Sequence, residues 1–62
     1  MKLEDILSIT SEATVVNVAD YELDKIIGCY NGKDSIDLEL NGKEVVTQFI
    51  DDDELYIVIL NK

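Results

Sequence analysis

Asn31-Gly32-Lys33-Asp34-Ser35-Ile36-Asp37-Leu38-Glu39-Leu40-Asn41-Gly42 is the stretch on which the fold turns. Between its two Asn-Gly pairs, Ile36, Leu38 and Leu40 alternate with Ser35, Asp37 and Glu39, the period of a half-buried strand. Asn-Gly between alternating segments is the strongest short-range hairpin signal, because a type I′ turn needs positive φ at both central residues. On this reading residues 35–40 are the third strand of an antiparallel meander. A single helical turn around residues 34–40 is the alternative, since it also sets a few apolar side chains inward.

Outward from that stretch, β-branched residues and a period of two mark the neighbouring strands. Thr14-Val15-Val16-Asn17-Val18-Ala19 and Lys25-Ile26-Ile27-Gly28-Cys29-Tyr30 lie upstream, joined by Asp20-Tyr21-Glu22-Leu23-Asp24. Val45-Val46-Thr47-Gln48-Phe49-Ile50 and Leu55-Tyr56-Ile57-Val58-Ile59-Leu60 lie downstream, joined through Asp51-Asp52-Asp53. Before all of these, residues 2–9 read as a short helix, with Leu3, Ile6 and Leu7 at i, i+3 and i+4 and with Glu4 and Asp5 in the dipole-favoured first turn. The expected architecture is α+β: a short N-terminal helix packed on a curled antiparallel β-meander of four to five strands, in one domain over residues 1–62. Both faces of the last strand are apolar, as are both faces of the first. A sheet wet on one side would alternate cleanly, so the second face calls for the helix, for curling, or for a second copy of the chain.

The composition closes several function classes. The chain has 62 residues, 14 acids against 5 bases, a formal charge of −9 and no histidine or tryptophan; all the bases are lysine. Without histidine or arginine it cannot build a Ser-His-Asp or Cys-His nucleophile, a His-ligated metal site or a bidentate arginine clamp on phosphate. The negative charge opposes direct binding to nucleic acid and to anionic lipid, both of which are held chiefly by Lys and Arg. Cys29 is alone, so no intrachain disulfide forms, and a reducing, cytoplasmic setting is expected. Glu4 and Asp5 interrupt the apolar stretch that a signal peptide needs. The longest apolar run, Leu55–Leu60, is far short of the roughly 20 residues that span a bilayer.

The acids gather in three places, at Asp20, Glu22 and Asp24, at Asp34, Asp37 and Glu39, and at Asp51–Glu54; the first and last are turns and supply the candidate interaction residues, Asp20, Tyr21, Glu22 and Asp24 in one and Asp51, Asp52, Asp53 and Glu54 in the other. In a sequential meander the two turns fall at the same end of the sheet and form one negative rim. Such a rim either solvates the turns and discourages edge pairing or attracts a basic partner. Tyr21, in its acidic loop, is the best exposed contact, whereas Tyr30 and Tyr56 sit in strands and are expected to pack with the hydroxyl outward. Asp20-x-Glu22-x-Asp24 echoes the first ligands of an EF-hand, but Lys25 stands where that loop needs glycine and Asn31 where it needs a bidentate glutamate. No metal, cofactor or catalytic residue is assigned. Paired carboxylates can hydrolyse glycosides, but they need a cleft that so thin a sheet hardly offers. Cys29, with no basic neighbour in sequence, is expected to be a small buried hydrophobe.

Taken together, Leu3-Glu4-Asp5-Ile6-Leu7, Val15-Val16-Asn17-Val18, Asp20-Tyr21-Glu22, Tyr30-x-Gly32 and Leu55-Tyr56-Ile57-Val58-Ile59 give the chain an order of parts that resembles the small acidic uncharacterised proteins of phages and mobile elements of Firmicutes. The resemblance spans nearly the whole chain, implies a compact α+β module with a nonenzymatic accessory role, and carries no functional residue across. In related patterns the stretch near residues 34–42 is more loop-like or helical. The expected function is a small acidic interaction module that binds a protein partner, a basic one, or forms a homodimer. The alternative is an acidic decoy, a nucleic-acid mimic that blocks a basic surface.

Overall fold

The computed structural model describes residues 1–61. Helix α1 (Leu3–Leu7) is followed by strands β1 (Val15–Asp20) and β2 (Lys25–Asn31), by two 3-10 turns at Lys33–Ser35 and Leu38–Leu40, and by β3 (Glu44–Asp51) and β4 (Glu54–Leu60). The α+β architecture expected from the sequence is present, with the short helix packed on a four-stranded, mainly antiparallel sheet.

Two expectations are corrected. Residues 35–40 are not a strand, so the sheet has four strands, the lower of the four to five expected. A strand would have sent Ile36, Leu38 and Leu40 to one face; the 3-10 turns bury Ile36 and Leu40 and leave Leu38 83% exposed. The strand order is also not sequential. It runs β2-β1-β4-β3, with β1 and β4 parallel at the centre. Each of these inner strands belongs to its own antiparallel hairpin, and the long connection that brings the hairpins into a parallel central pair is residues 32–43. The Asn-Gly pairs serve this connection instead of hairpins. Gly32 leaves β2 at φ 101°, where an added Cβ would lie 2.7 Å from the Glu12 carbonyl oxygen, so glycine is required. The two positive φ values of a type I′ turn occur at Asp52 (53°) and Asp53 (63°), between the paired residues Asp51 and Glu54.

Helix α1 is too short to stand alone and is fixed by its surroundings. Asp5 Oδ2 accepts the Lys2 N–H at 3.0 Å, the backbone N–H groups of Leu3 and Glu4 donate to the carbonyls of Lys43 and Asn41, and Lys33 Nζ donates to the Leu7 carbonyl at 3.0 Å. The lysine thus adds a second donor to the Leu7 carbonyl, which also accepts the Thr10 N–H at 3.2 Å, and ties the connection to the helix C-terminus.

The core lies on one side of the sheet. Leu3, Ile6 and Leu7 from α1, with Ile36 and Leu40 from the connection, cover Val16, Val18, Leu55, Ile57 and Ile59. The register sets Val16 beside Leu55 and Val18 beside Ile57, so alternate residues of both inner strands share this face. Bulges reset the alternation on both edge strands. Ile27 is the extra residue opposite Val18/Ala19; it packs against the core with Tyr30 and sends Ile26 to the far side. Val46 is the extra residue in β3, which leaves Val45 on the core side and Thr47 beside Val58 on the other.

Candidate functional site

Among the described residues, none forms a layer over the face of the sheet opposite α1. Along it stand Ala19 of β1, Ile26 of β2, Phe49 of β3, and Tyr56 and Val58 of β4. These side chains form the floor of an open groove of about 780 Å³. Phe49 and Tyr56 are cross-strand partners whose rings stack at 5.1 Å and 4°, a geometry that adds to plain area burial. Even so, Phe49 is 52% and Ile26 53% exposed, values that contrast with the complete burial of Ile57 and Ile59 one residue away in β4. Asn17 is a buried polar residue on this face; it is 5% exposed and its Nδ2 donates to Glu54 Oε1 at 2.9 Å. On the covered side a smaller hollow of about 260 Å³ lies among Ile6, Ile9, Ile50 and Leu55.

Because β1 and β4 are parallel, the turn after β1 and the turn before β4 lie at opposite ends of the sheet. The single negative rim expected from a meander is therefore corrected. Five of the eight candidate interaction residues still meet at the groove: Asp20, Tyr21, Glu22 and Asp24 at one end and Asp51 at the other. Lys25 is the one cation among the described residues that line the groove. Asp52 and Asp53 form the β3–β4 turn itself.

Two of the candidate carboxylates have structural partners. Asp20 Oδ1 accepts the backbone N–H groups of Glu22 and Leu23 at 2.9 and 3.3 Å, and its own carbonyl accepts that of Asp24, which stands at φ 53°. Asp20 is thereby the organiser of its turn, as Asx side chains often are. Glu54 is held by Asn17. Tyr21 is 58% exposed, as expected for the loop tyrosine. Tyr30 packs against the core and covers Gly28, whereas Tyr56 lies on the open face, so the shared expectation of core packing fails for Tyr56. Cys29 is exposed rather than buried, since it lies on the uncovered side of an edge strand.

Burial and nearby carboxylates act on two of the tyrosines, Tyr56 at the groove and Tyr30 on the core side. The Tyr56 phenol is pushed above its ordinary range, by desolvation on the sheet face first and then by the carboxylates of Glu54, Asp51 and Asp52. That of Tyr30 is raised by burial and then by Asp37 and Glu39. Among the described residues no group of three or more His, Cys, Asp or Glu side chains is placed to hold a metal ion. Nor, among the described residues, is any helix long and apolar enough to cross a membrane.

The residues that sequence reading missed are Ile26, Phe49 and Val58. A signal for them was present, because the first and last strands are apolar on both faces while only one short amphipathic helix is available to cover them. No family model matches the chain, and neither a curated protein nor a solved structure matches it.

Proposed function

We propose that the protein is a nonenzymatic interaction module whose docking surface is the uncovered face of its sheet. The observation that carries this reading is the floor of Ala19, Ile26, Phe49, Tyr56 and Val58, left in contact with water opposite a fully formed core. A sheet with two apolar faces reaches a stable layer arrangement only when both are covered, and contiguous exposed apolar surface marks interaction sites. The chain's own helix and connection cover the other face.

The acidic-decoy alternative has less support. A mimic of nucleic acid needs a dense row of charge, and the two acidic turns stand apart, with Asp20 and Glu54 committed to hydrogen bonds within the fold.

A photo-crosslinking amino acid at position 47, on the open face beside Val58, and at position 38, on the opposite side, tests the proposal in native cells. Adducts with another protein from position 47 and not from position 38 are expected. Equal adducts from both positions, or none from position 47, overturn it.

A further inference from the structure

We infer that the occupant of the open face is a basic amphipathic helix of a partner protein; the inference rests on the docking surface just proposed and names the chemistry that fits it. Three features of the groove select this occupant. The groove lies on the face of the sheet and not along its edge, so its floor presents side chains rather than a row of free backbone groups. An added strand binds through an edge, whereas a helix offers one apolar stripe to a side-chain floor.

The second feature is charge. Among the described residues that line the groove, Asp24 stands at one end and Asp51 at the other, and Lys25 is the one cation. A second copy of this chain, also at −9, would bring like charges together at both ends. A cationic segment meets the opposite condition, since complementary potentials steer encounter and suppress wrong partners.

Size is the third. Four strands span about 14 Å across, and the distance from the β3–β4 turn to the β1–β2 turn is about 20 Å along the strands. That patch, on the order of 300 Å² in projection, is small against the roughly 800 Å² per partner of a standard interface between two folded proteins, but it accommodates one helix of about 10 Å diameter. At a rise of 1.5 Å per residue, about 20 Å corresponds to roughly 13 residues. The fitting helix therefore carries Lys or Arg about 11–14 positions apart, with an apolar stripe between them.

The test uses 18-residue peptides designed to this pattern, titrated into the isotope-labelled protein and followed by amide shifts and by fluorescence anisotropy. The basic amphipathic peptide is expected to perturb Ala19, Ile26, Phe49, Tyr56 and Val58. Phe49→Ala should weaken binding about tenfold, as for a central aromatic anchor. Asp24→Asn combined with Asp51→Asn should weaken it a few-fold at low salt and flatten its salt dependence. Leu38→Ala, on the other side, should leave binding unchanged. A peptide with the same composition but no apolar stripe should not bind. Equal binding of a peptide with glutamate in place of the flanking cations overturns the basic occupant while leaving the docking face intact. Shifts confined to other surfaces, or concentration-dependent self-association through Phe49 with no peptide binding, overturn the helix as occupant. Loss of the crosslinks at position 47 is the separate result that removes the docking face itself.

Discussion

Ile57 and Val58 are neighbours in β4, yet truncating them should have very different effects. Ile57 is completely buried beneath α1, and Val58 is half-buried on the open face. Ile57→Ala removes buried methylenes and leaves a cavity in a closed core, a change that costs about 2–5 kcal/mol. Val58→Ala removes two carbons already partly in water; at about 0.8 kcal/mol per fully buried methylene it costs about 1 kcal/mol or less. A chain of this length has a total stability of roughly 3–9 kcal/mol, so Ile57→Ala consumes much of it. Urea unfolding followed by far-ultraviolet circular dichroism reads the contrast. With a slope of about 1 kcal/mol per molar for a small domain, Ile57→Ala should lower the midpoint by about 2 M or more, and Val58→Ala by about 1 M or less. Ile57→Val, expected to cost about 1 kcal/mol, supplies a folded intermediate if Ile57→Ala does not fold. Equal costs for Ile57→Ala and Val58→Ala would refute the one-sided core.

Three further outcomes follow from particular residues. In Gly28→Ala the new Cβ meets the hydroxyl and outer ring carbons of Tyr30, so that side chain must swing aside; the shift should lower stability by about 1 kcal/mol, the low end of the range for overpacking, and an unchanged melting temperature would contradict this packing. Replacing Asp52-Asp53 by Asn-Gly puts glycine at one positive-φ position and asparagine, which tolerates the left-handed region, at the other, and should raise stability by about 1 kcal/mol, measured by urea unfolding at high salt so that the lost charges contribute little; no gain there would contradict the turn. Tyr30 and Tyr56 have raised phenol pKa values in the folded protein, so the folded state holds its protons to higher pH than the unfolded chain. The stability they contribute is present below about pH 10, the unfolded value, and is lost as pH rises through the folded values. Denaturation between pH 9 and 11 should show falling stability, with a shallower fall in Tyr30→Phe and Tyr56→Phe; identical slopes in the variants would assign the fall to other groups.

Much of the fold is readable in the residues, and the exceptions have physical causes. Leu3, Ile6 and Leu7 share one side of a helix, and four strands announce themselves through β-branched runs. Residues 35–40 mislead because Ile36 and Leu40 are spaced equally well for a strand and for a turn that buries both; only the exposure of Leu38 separates the two, and exposure is a tertiary property. Asn-Gly misleads because Gly32 is needed for its close approach to Glu12, while the hairpin that has two left-handed residues uses Asp52 and Asp53. The central parallel pair left a trace: β1 and β4 are the strands apolar on both faces, as inner strands tend to be. Acidic clustering was visible in the sequence, but whether Asp24 and Asp51 share an end or face each other across a groove depends on strand order, which short-range patterns do not encode.

Methyl-resolved NMR with a soluble paramagnetic agent tests the central claim, a sheet covered on one face and bare on the other, most directly. The methyl groups of Ile26 and Val58 should be strongly relaxed, and those of Val16, Val18, Ile57 and Ile59 protected, at every protein concentration. Protection of Ile26 and Val58 equal to that of Ile57 would contradict the account, because the face proposed for docking would already be covered.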